Sequence, residues 1–359
     1  TALTAPGDVV MTAAQPTGGH SSNRSDGPAG AMGRTIVDIP MDPEELVVDL
    51  DLFRRAAPLA RPKLVALGLS MTLFPQPVAA MREVIAEWGG RFFFDAAHQL
   101  GLIGGGQFQD PLTEGADIST GSAGKTVAGP QSGILLWDDP TITEAVTTAV
   151  FPVWAATHQV NRVAALALAT AEAIAFGAKL QAQIVANAQA LARALQERGV
   201  PMLGAHKGFT TTHQAIADAR GFGRGLAAAQ TLERANLIVN KNLLPADRKE
   251  DWDYPGGLRI GTIEVTRFGL RPPAREVEQV ASRHDAEGGV KLRVSPAGEP
   301  FVTDGGHLIL DAFFGRISNP EALSTDLHEV PGVVEHGLFL RLCQRAYVAG
   351  PGGVETIDA

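Results

Sequence analysis

The run Phe92-Phe93-Phe94-Asp95-Ala96-Ala97-His98, followed about one strand and one turn later by Ser119-Thr120-Gly121-Ser122-Ala123-Gly124-Lys125-Thr126, carries the most structural information in this chain. Three phenylalanines ending in an acid read as a buried strand that delivers the Asp95 carboxylate to its C-terminal end, where open α/β sheets hold their ligands. A carboxylate there pairs with a protonated pyridine nitrogen. The second run sets a lone lysine in a turn of small residues, so a cofactor aldehyde can approach the amine closely enough for a Schiff base. Asp95 and Lys125 then grip opposite ends of one ring, the layout of a pyridoxal phosphate site.

Gly124-Lys125-Thr126 also invites a nucleotide phosphate loop, but that motif needs a glycine five residues before the Gly-Lys pair and a helix directly after it. Position 119 is Ser119, and Gly129-Pro130 follows too soon for a long helix from Lys125. Taken singly, Asp95 reads as a turn cap and Lys125 as a solvated lysine. Their order and spacing favour chemistry.

Composition bounds the class. The 359 residues, 45% hydrophobic, can bury a sizeable core. A formal charge of −9 argues against a nucleic-acid or anionic-membrane partner. No stretch approaches the ~20 apolar residues that span a bilayer, and no signal peptide opens the chain. The single cysteine, Cys343, precludes an internal disulfide and points to a reducing cytoplasm. His158 and His206 lack partners at a metal-ligand spacing, so no metal is expected. His213, in Thr210-Thr211-Thr212-His213-Gln214, reads as a structural residue at a strand start.

Periodicity predicts short helices over 46–53 and 77–88, buried parallel strands over 63–68 and 91–94, and a further strand over 133–137 stopped by Asp138-Asp139-Pro140. A long alanine-rich helix is predicted from about residue 159 to 198, with Ile184, Leu191 and Leu195 on one face and Gly199-Val200-Pro201 ending it. From about Gly289 the pattern changes to short β elements. Asp304-Gly305-Gly306 is a hairpin signal, a helix starts after Ser318-Asn319-Pro320, and 331–339 reads as turn and strand.

Residues 9 to about 283 resemble the serine hydroxymethyltransferase family of fold-type I pyridoxal phosphate enzymes. Gly18-Gly19-His20, Ser70 in Leu67-Gly68-Leu69-Ser70, Asp95-Ala96-Ala97-His98, and Gly257-Leu258-Arg259-Ile260-Gly261-Thr262 with Glu264-Val265-Thr266-Arg267-Phe268-Gly269 carry the resemblance, and residues 236–245 agree in register. It implies an α/β fold with an aspartate aminotransferase-like large domain over 1–158 and a connecting helix and small α/β domain over 159–286; a separate α+β module is expected over 287–359. It implies that Lys125, Asp95 and His20 are catalytic, that Ser70, His98 and Ser122 also touch pyridoxal 5'-phosphate, and that Arg259 clamps the amino-acid carboxylate. His20 would stack on the ring and His98 hold its phenolic edge. The implied reaction makes or breaks the Cα–Cβ bond of a β-hydroxy amino acid, with tetrahydrofolate or a pterin analogue as co-substrate, in a homodimer or tetramer.

Departures from the family pattern keep alternatives open. Gly124 stands where the family has histidine, Phe151-Pro152 leads into Ala155-Ala156-Thr157-His158 in place of Gln-Gly-Gly-Pro, and Gly129-Pro130-Gln131 replaces Gly-Pro-Arg. These suit a threonine aldolase-like or transaldolase relative. By the resemblance, residue 1 falls inside the catalytic domain, so the arm with the acid-base glutamate and first phosphate turn is expected to be absent. The segment after 289 resembles the C-terminal part of ribose-5-phosphate isomerase A through Val302-Thr303-Asp304-Gly305-Gly306-His307 and residues 332–339. Nothing there matches that family's catalytic motifs, so Asp304, Glu335 and His336 read as structural. A natural fusion, a chimeric or inactive fragment, and an isomerase-like protein on an inactive scaffold are the three explanations in competition.

Overall fold

A computed structural model describes residues 2–235, 237–270, 274–296, 298–303, 307–330, 333–341, 345–350 and 353–358. The chain divides into two compact units, Thr1–Thr266 and Arg267–Ala359. Asn236, Asp304-Gly305-Gly306, Pro331-Gly332 and Cys343, all used in the sequence reading, lie outside the described residues.

The first unit opens with β1 (Val9–Thr12), β2 (Thr35–Asp38), a hairpin of β3 (Met41–Asp42) and β4 (Val47–Val48), then β5 (Leu64–Gly68), β6 (Arg91–Asp95), β7 (Ile118–Ser122) and β8 (Gly133–Leu136). Six of these form one sheet in the order β2-β1-β5-β6-β7-β8. All its pairs are parallel except β7 with β8, so the strand over 133–137 exists but closes the edge antiparallel. Phe92 and Phe94 point into a core with Phe53, Ala57, Met81 and Ile85 from two covering helices. Phe93 points the other way, toward Ile118, Ile142 and Val146. That two-faced burial is why β6 reads as an unbroken apolar run.

Two helix boundaries differ from expectation. The first helix is Leu50–Ala60, displaced from 46–53, because Leu46 sits in a left-handed turn at φ 60 and Val47–Val48 pairs as a strand. The Asp49 side chain then caps it by accepting the Leu52 N–H at 2.9 Å. The second is Val78–Ala86, inside the expected span.

The long helix is Val160–Glu197, ended as expected at Gly199, which has φ 83 and donates to Gln196 O. Its C-terminal half buries Ile184, Ala188 and Ala192, while Val160, Val163, Leu168, Ile174 and Phe176 are exposed. One window of it has a mean hydropathy of 1.6 with 11% buried, so by length and composition alone it is apolar enough to cross a membrane. This corrects the expectation that no stretch approaches that threshold: alanine spread between larger apolar residues raises the mean without a solid apolar run. The unit ends in an antiparallel sheet of β9 (Gln214–Asp218), β10 (Asn240–Asn242) and β11 (Gly257–Gly261), ordered β10-β11-β9.

The second unit packs Val277 and Val280 of the Ala274–Arg283 helix with Leu323 of the Pro320–His328 helix and with β12 (Val290–Leu292) and β13 (Leu310–Ala312). Asn319 caps the later helix by accepting the Ala322 N–H at 3.0 Å. Residues 333–339 form no strand, against expectation; Val333 and Leu338 instead pack on the core from an irregular segment. A hairpin of β14 (Arg345–Gly350) and β15 (Gly353–Asp358) follows.

Candidate active site

Three neighbouring strand ends build the site: β5 leads through Gly68 to Ser70, β6 ends at Asp95, and β7 ends at Ser122 ahead of the turn that carries Lys125. Gly68 lies opposite Asp95, and a Cβ on it would come within 2.6 Å of the Asp95 Cβ, so glycine gives the acid its room. Asp95 Oδ1 accepts from the Ala97 N–H at 3.0 Å and from the Thr120 hydroxyl at 3.2 Å. Among the described residues nothing donates to Oδ2.

The turn after β7 does not continue as a helix, in line with the rejected phosphate-loop reading. Fully buried Thr126 locks it. Its hydroxyl donates to His98 O at 3.1 Å and accepts the Gly101 N–H at 2.9 Å, and its carbonyl accepts from Gln181 Nε2 of the long helix at 2.8 Å. A Cβ on Gly101 would lie 2.2 Å from Thr126 O, a backbone atom that no rotamer change can move away. Gly101→Ala is therefore expected to cost about 1–3 kcal/mol and to displace Lys125. A lowered melting temperature with slower amine labelling would report it; a variant as stable as the parent would show that the Leu100–Gly104 helix can back away.

Lys125 Nζ lies 3.4 Å from His98 Nε2. Burial holds this amine below the usual lysine range, Asp95 pulls it back up, and Arg259 adds to the lowering. More of it is neutral and nucleophilic near neutral pH than for a solvated lysine. Burial, then the charges of Lys125, His213, Arg259 and His20, push His98 far below the ordinary histidine value.

His213 does more than start a strand. Its ring stacks on His98 with 5.5 Å between centroids and 13° between planes, and burial, then Arg259 and Lys125, bring it down to about 3. Its Nδ1 is buried without a partner among the described residues. Gln214, next in sequence, reaches both Ser70 O and His98 Nδ1. The signal for this pair is the polar run Thr210-Thr211-Thr212-His213-Gln214 entering an apolar strand, but only the fold shows that β9 begins beside the segment that follows β5.

Arg259, on β11, donates from Nη1 to Ser70 O at 2.6 Å and from Nη2 to Asn240 Oδ1 at 3.1 Å, and burial lowers its proton affinity. Exposed His20 follows the Gly18-Gly19 turn, whose Gly18 carbonyl accepts the Ser70 N–H at 2.7 Å. A Cβ on Gly19 would sit 2.0 Å from Ala13 O. His20 Nδ1 accepts the Ser22 N–H at 3.2 Å. Half-buried Ser122 closes β7, and its carbonyl accepts the Lys125 N–H at 3.4 Å. The fold thus gathers Lys125, Asp95, His98, Ser70, Ser122, His20 and Arg259 in the first unit.

In the second unit His328, Glu335 and His336 bring one ligand atom each within 4.8 Å of one another. His336 is engaged on both ring nitrogens: Nδ1 accepts the Leu338 N–H at 3.2 Å and Nε2 meets Ser324 Oγ at 2.8 Å. A metal would have to displace one of these bonds, so the cluster reads as a hydrogen-bonded brace.

Residues 256–353 match the family model of ribose 5-phosphate isomerase A (phosphoriboisomerase A), and residues 1–283 that of serine hydroxymethyltransferase. The serine hydroxymethyltransferase of Methanosphaera stadtmanae is 45% identical over 280 residues, which is 78% of this chain and 66% of that protein. That of Archaeoglobus fulgidus is 44% identical over 285 residues, 79% of this chain and 64% of its own length. That of Saccharolobus solfataricus is 40% identical over 279 residues, 78% and 64% respectively. The chain spans just under two thirds of the length of these curated relatives. With a lysine turn and an acid-ended strand meeting at the carboxyl edge of a mostly parallel sheet, and a match that runs through all of it, the chain belongs to the serine hydroxymethyltransferase family.

Proposed function

We propose that this chain uses pyridoxal 5'-phosphate to make or break the Cα–Cβ bond of a β-hydroxy amino acid, interconverting serine and glycine, with tetrahydrofolate or a pterin analogue as the one-carbon partner. The observation that carries the reading is a desolvated lysine amine that feels the charges of Asp95 at the end of β6 and of Arg259 in the middle of β11. The donor set fits the cofactor: an amine of lowered proton affinity for its aldehyde, a carboxylate with a free oxygen for its ring nitrogen, and the Ser122 hydroxyl beside the lysine turn. The orphaned, buried His213 Nδ1 fits a site completed by a bound group.

Bound there, the cofactor supplies an electron sink for a carbanion at the amino-acid α-carbon. The chain's own residues do the rest. Lys125 would hold the cofactor by its aldehyde, and its amine, lowered in proton affinity by burial, would be suited to take or return a proton at the amino-acid α-carbon. Asp95 would keep a proton on the pyridine nitrogen, and His20, Ser70 and His98 would line the cofactor's site. Arg259 offers a planar fork that matches a carboxylate in two parallel hydrogen bonds.

Arg259→Ala is expected to raise the dissociation constant for glycine about thirtyfold or more, since removing one member of a buried charge pair costs at least ~2 kcal/mol. Spectral titration of the cofactor-loaded chain with glycine measures it; equal affinity in variant and parent excludes the clamp. The activity itself is tested by glycine release from serine with tetrahydrofolate and from a β-aryl serine without it. No glycine from either leaves a cofactor-binding chain without this reaction.

A homodimer or tetramer goes with the reading and gives the exposed apolar side chains Val160, Val163, Leu168, Ile174 and Phe176 a cover. So does a reducing cytoplasm, on the single cysteine.

A further inference from the structure

The Gln214 amide is oriented by its own contacts. Its Oε1 accepts the Thr72 N–H at 2.9 Å, so Nε2 is the end that meets Ser70 O at 3.0 Å and His98 Nδ1 at 3.3 Å. An amide nitrogen only donates, which makes His98 Nδ1 the acceptor and leaves the proton of the neutral ring on Nε2. Nε2 is the nitrogen 3.4 Å from Lys125 Nζ. An ammonium carries three donors and no acceptor, so an Nε2–H is compatible only with the lone pair of a neutral amine. We infer that Gln214 is a positioning residue: it sets the His98 tautomer and through it favours the neutral, nucleophilic form of Lys125.

The Gln214 amide nitrogen carries two hydrogens: one meets Ser70 O at 3.0 Å, and the other meets His98 Nδ1 at 3.3 Å, nearer than His213 Nε2 at 3.4 Å. The same orientation satisfies the Thr72 N–H and Ser70 O, so buried Gln214 is held in it from both ends of its amide. The remaining charged and titratable groups around the pair are Asp95 at the end of β6, Arg259 on β11, His213 before β9 and His20 after the glycine turn. Among the described residues only Gln214 donates to His98 Nδ1.

The inference rests on the reading of Lys125 as the cofactor-attaching amine, but its test needs no cofactor. In the ¹⁵N-labelled chain without cofactor, two-bond histidine ¹⁵N–¹H correlation gives the His98 tautomer. Acylation by trace acetic anhydride across pH, with peptide mapping, gives the pH at which Lys125 becomes reactive. The parent is expected to show Nε2–H. Gln214→Glu keeps the acceptor for Thr72 and replaces the donor by an acceptor. It is expected to move the His98 proton to Nδ1 and to raise the acylation midpoint of Lys125 by about one pH unit, a tenfold loss of neutral amine at fixed pH. Gln214→Met removes the donor without adding charge and is expected to give mixed tautomers and a smaller shift in the same direction, with an unchanged near-ultraviolet dichroism spectrum as the fold control. An unchanged tautomer in both variants overturns the inference, and so does a tautomer change that leaves the Lys125 midpoint in place. If the expected shifts occur in a chain that takes up no pyridoxal phosphate, the role of Gln214 stands and the cofactor reading falls.

Discussion

Lys125→Ala is expected to eliminate covalent retention of pyridoxal phosphate: no borohydride-fixed label on the 119–126 peptide, and no visible band above that of the free cofactor. The reason is local. Lys125 is the amine whose proton affinity burial lowers, in the turn after β7, while the turn itself is held by Thr126 through His98 O, Gly101 N–H and Gln181. Alanine removes the nucleophile without touching those bonds, so the thermal midpoint should stay within a few degrees of the parent. Absorbance spectra before and after reduction, with peptide mapping, measure the effect. A reducible label that persists, or that maps to another lysine, removes Lys125 from the site.

Asp95→Asn carries the second large effect. Asparagine has the same shape, and its Oδ1 can still accept from Ala97 N–H and the Thr120 hydroxyl, so the strand end should keep its geometry. What it loses is the negative charge that keeps a proton on the pyridine nitrogen. Lys125 still attaches the cofactor, so binding should survive while turnover falls by about 10²–10³, the cost of removing one preorganised electrostatic partner. Parallel measurement of kcat and cofactor affinity separates the two. A variant that keeps parental kcat would mean that Asp95 only caps the turn to Ala97, which the 3.0 Å contact also satisfies.

Much of this architecture was legible because the relevant signals are local. Three phenylalanines in a row can be satisfied only by a strand buried on both faces, and Phe92, Phe93 and Phe94 are divided between two cores as that demands. Gly199 in the left-handed region stops the long helix for a reason internal to glycine. The short small-residue turn at Lys125 followed from Gly129-Pro130 in the same way. Where local signals conflict, tertiary pairing decides. Residues 46–53 carry helical spacing, yet Val47–Val48 pairs with Met41–Asp42 and the helix starts at Leu50, behind the Asp49 cap. The parallel alternation broke at β8, since nothing in Gly133–Leu136 distinguishes an antiparallel edge strand from a parallel one.

The sequence alone set the order of acid-ended strand and lysine turn, the α/β class and the identity of the charged groups, because each is written in residue type and spacing. It could not set which strand ends touch. That β9 brings His213 and Gln214 against His98, and that β11 carries Arg259 to Ser70, depends on a second sheet folding back across the carboxyl edge of the first. Such contacts join residues more than a hundred positions apart, and they are chosen by the packing of Met71, Leu73, Phe74, Ile216 and Leu244 into one core, a choice that no window of sequence contains.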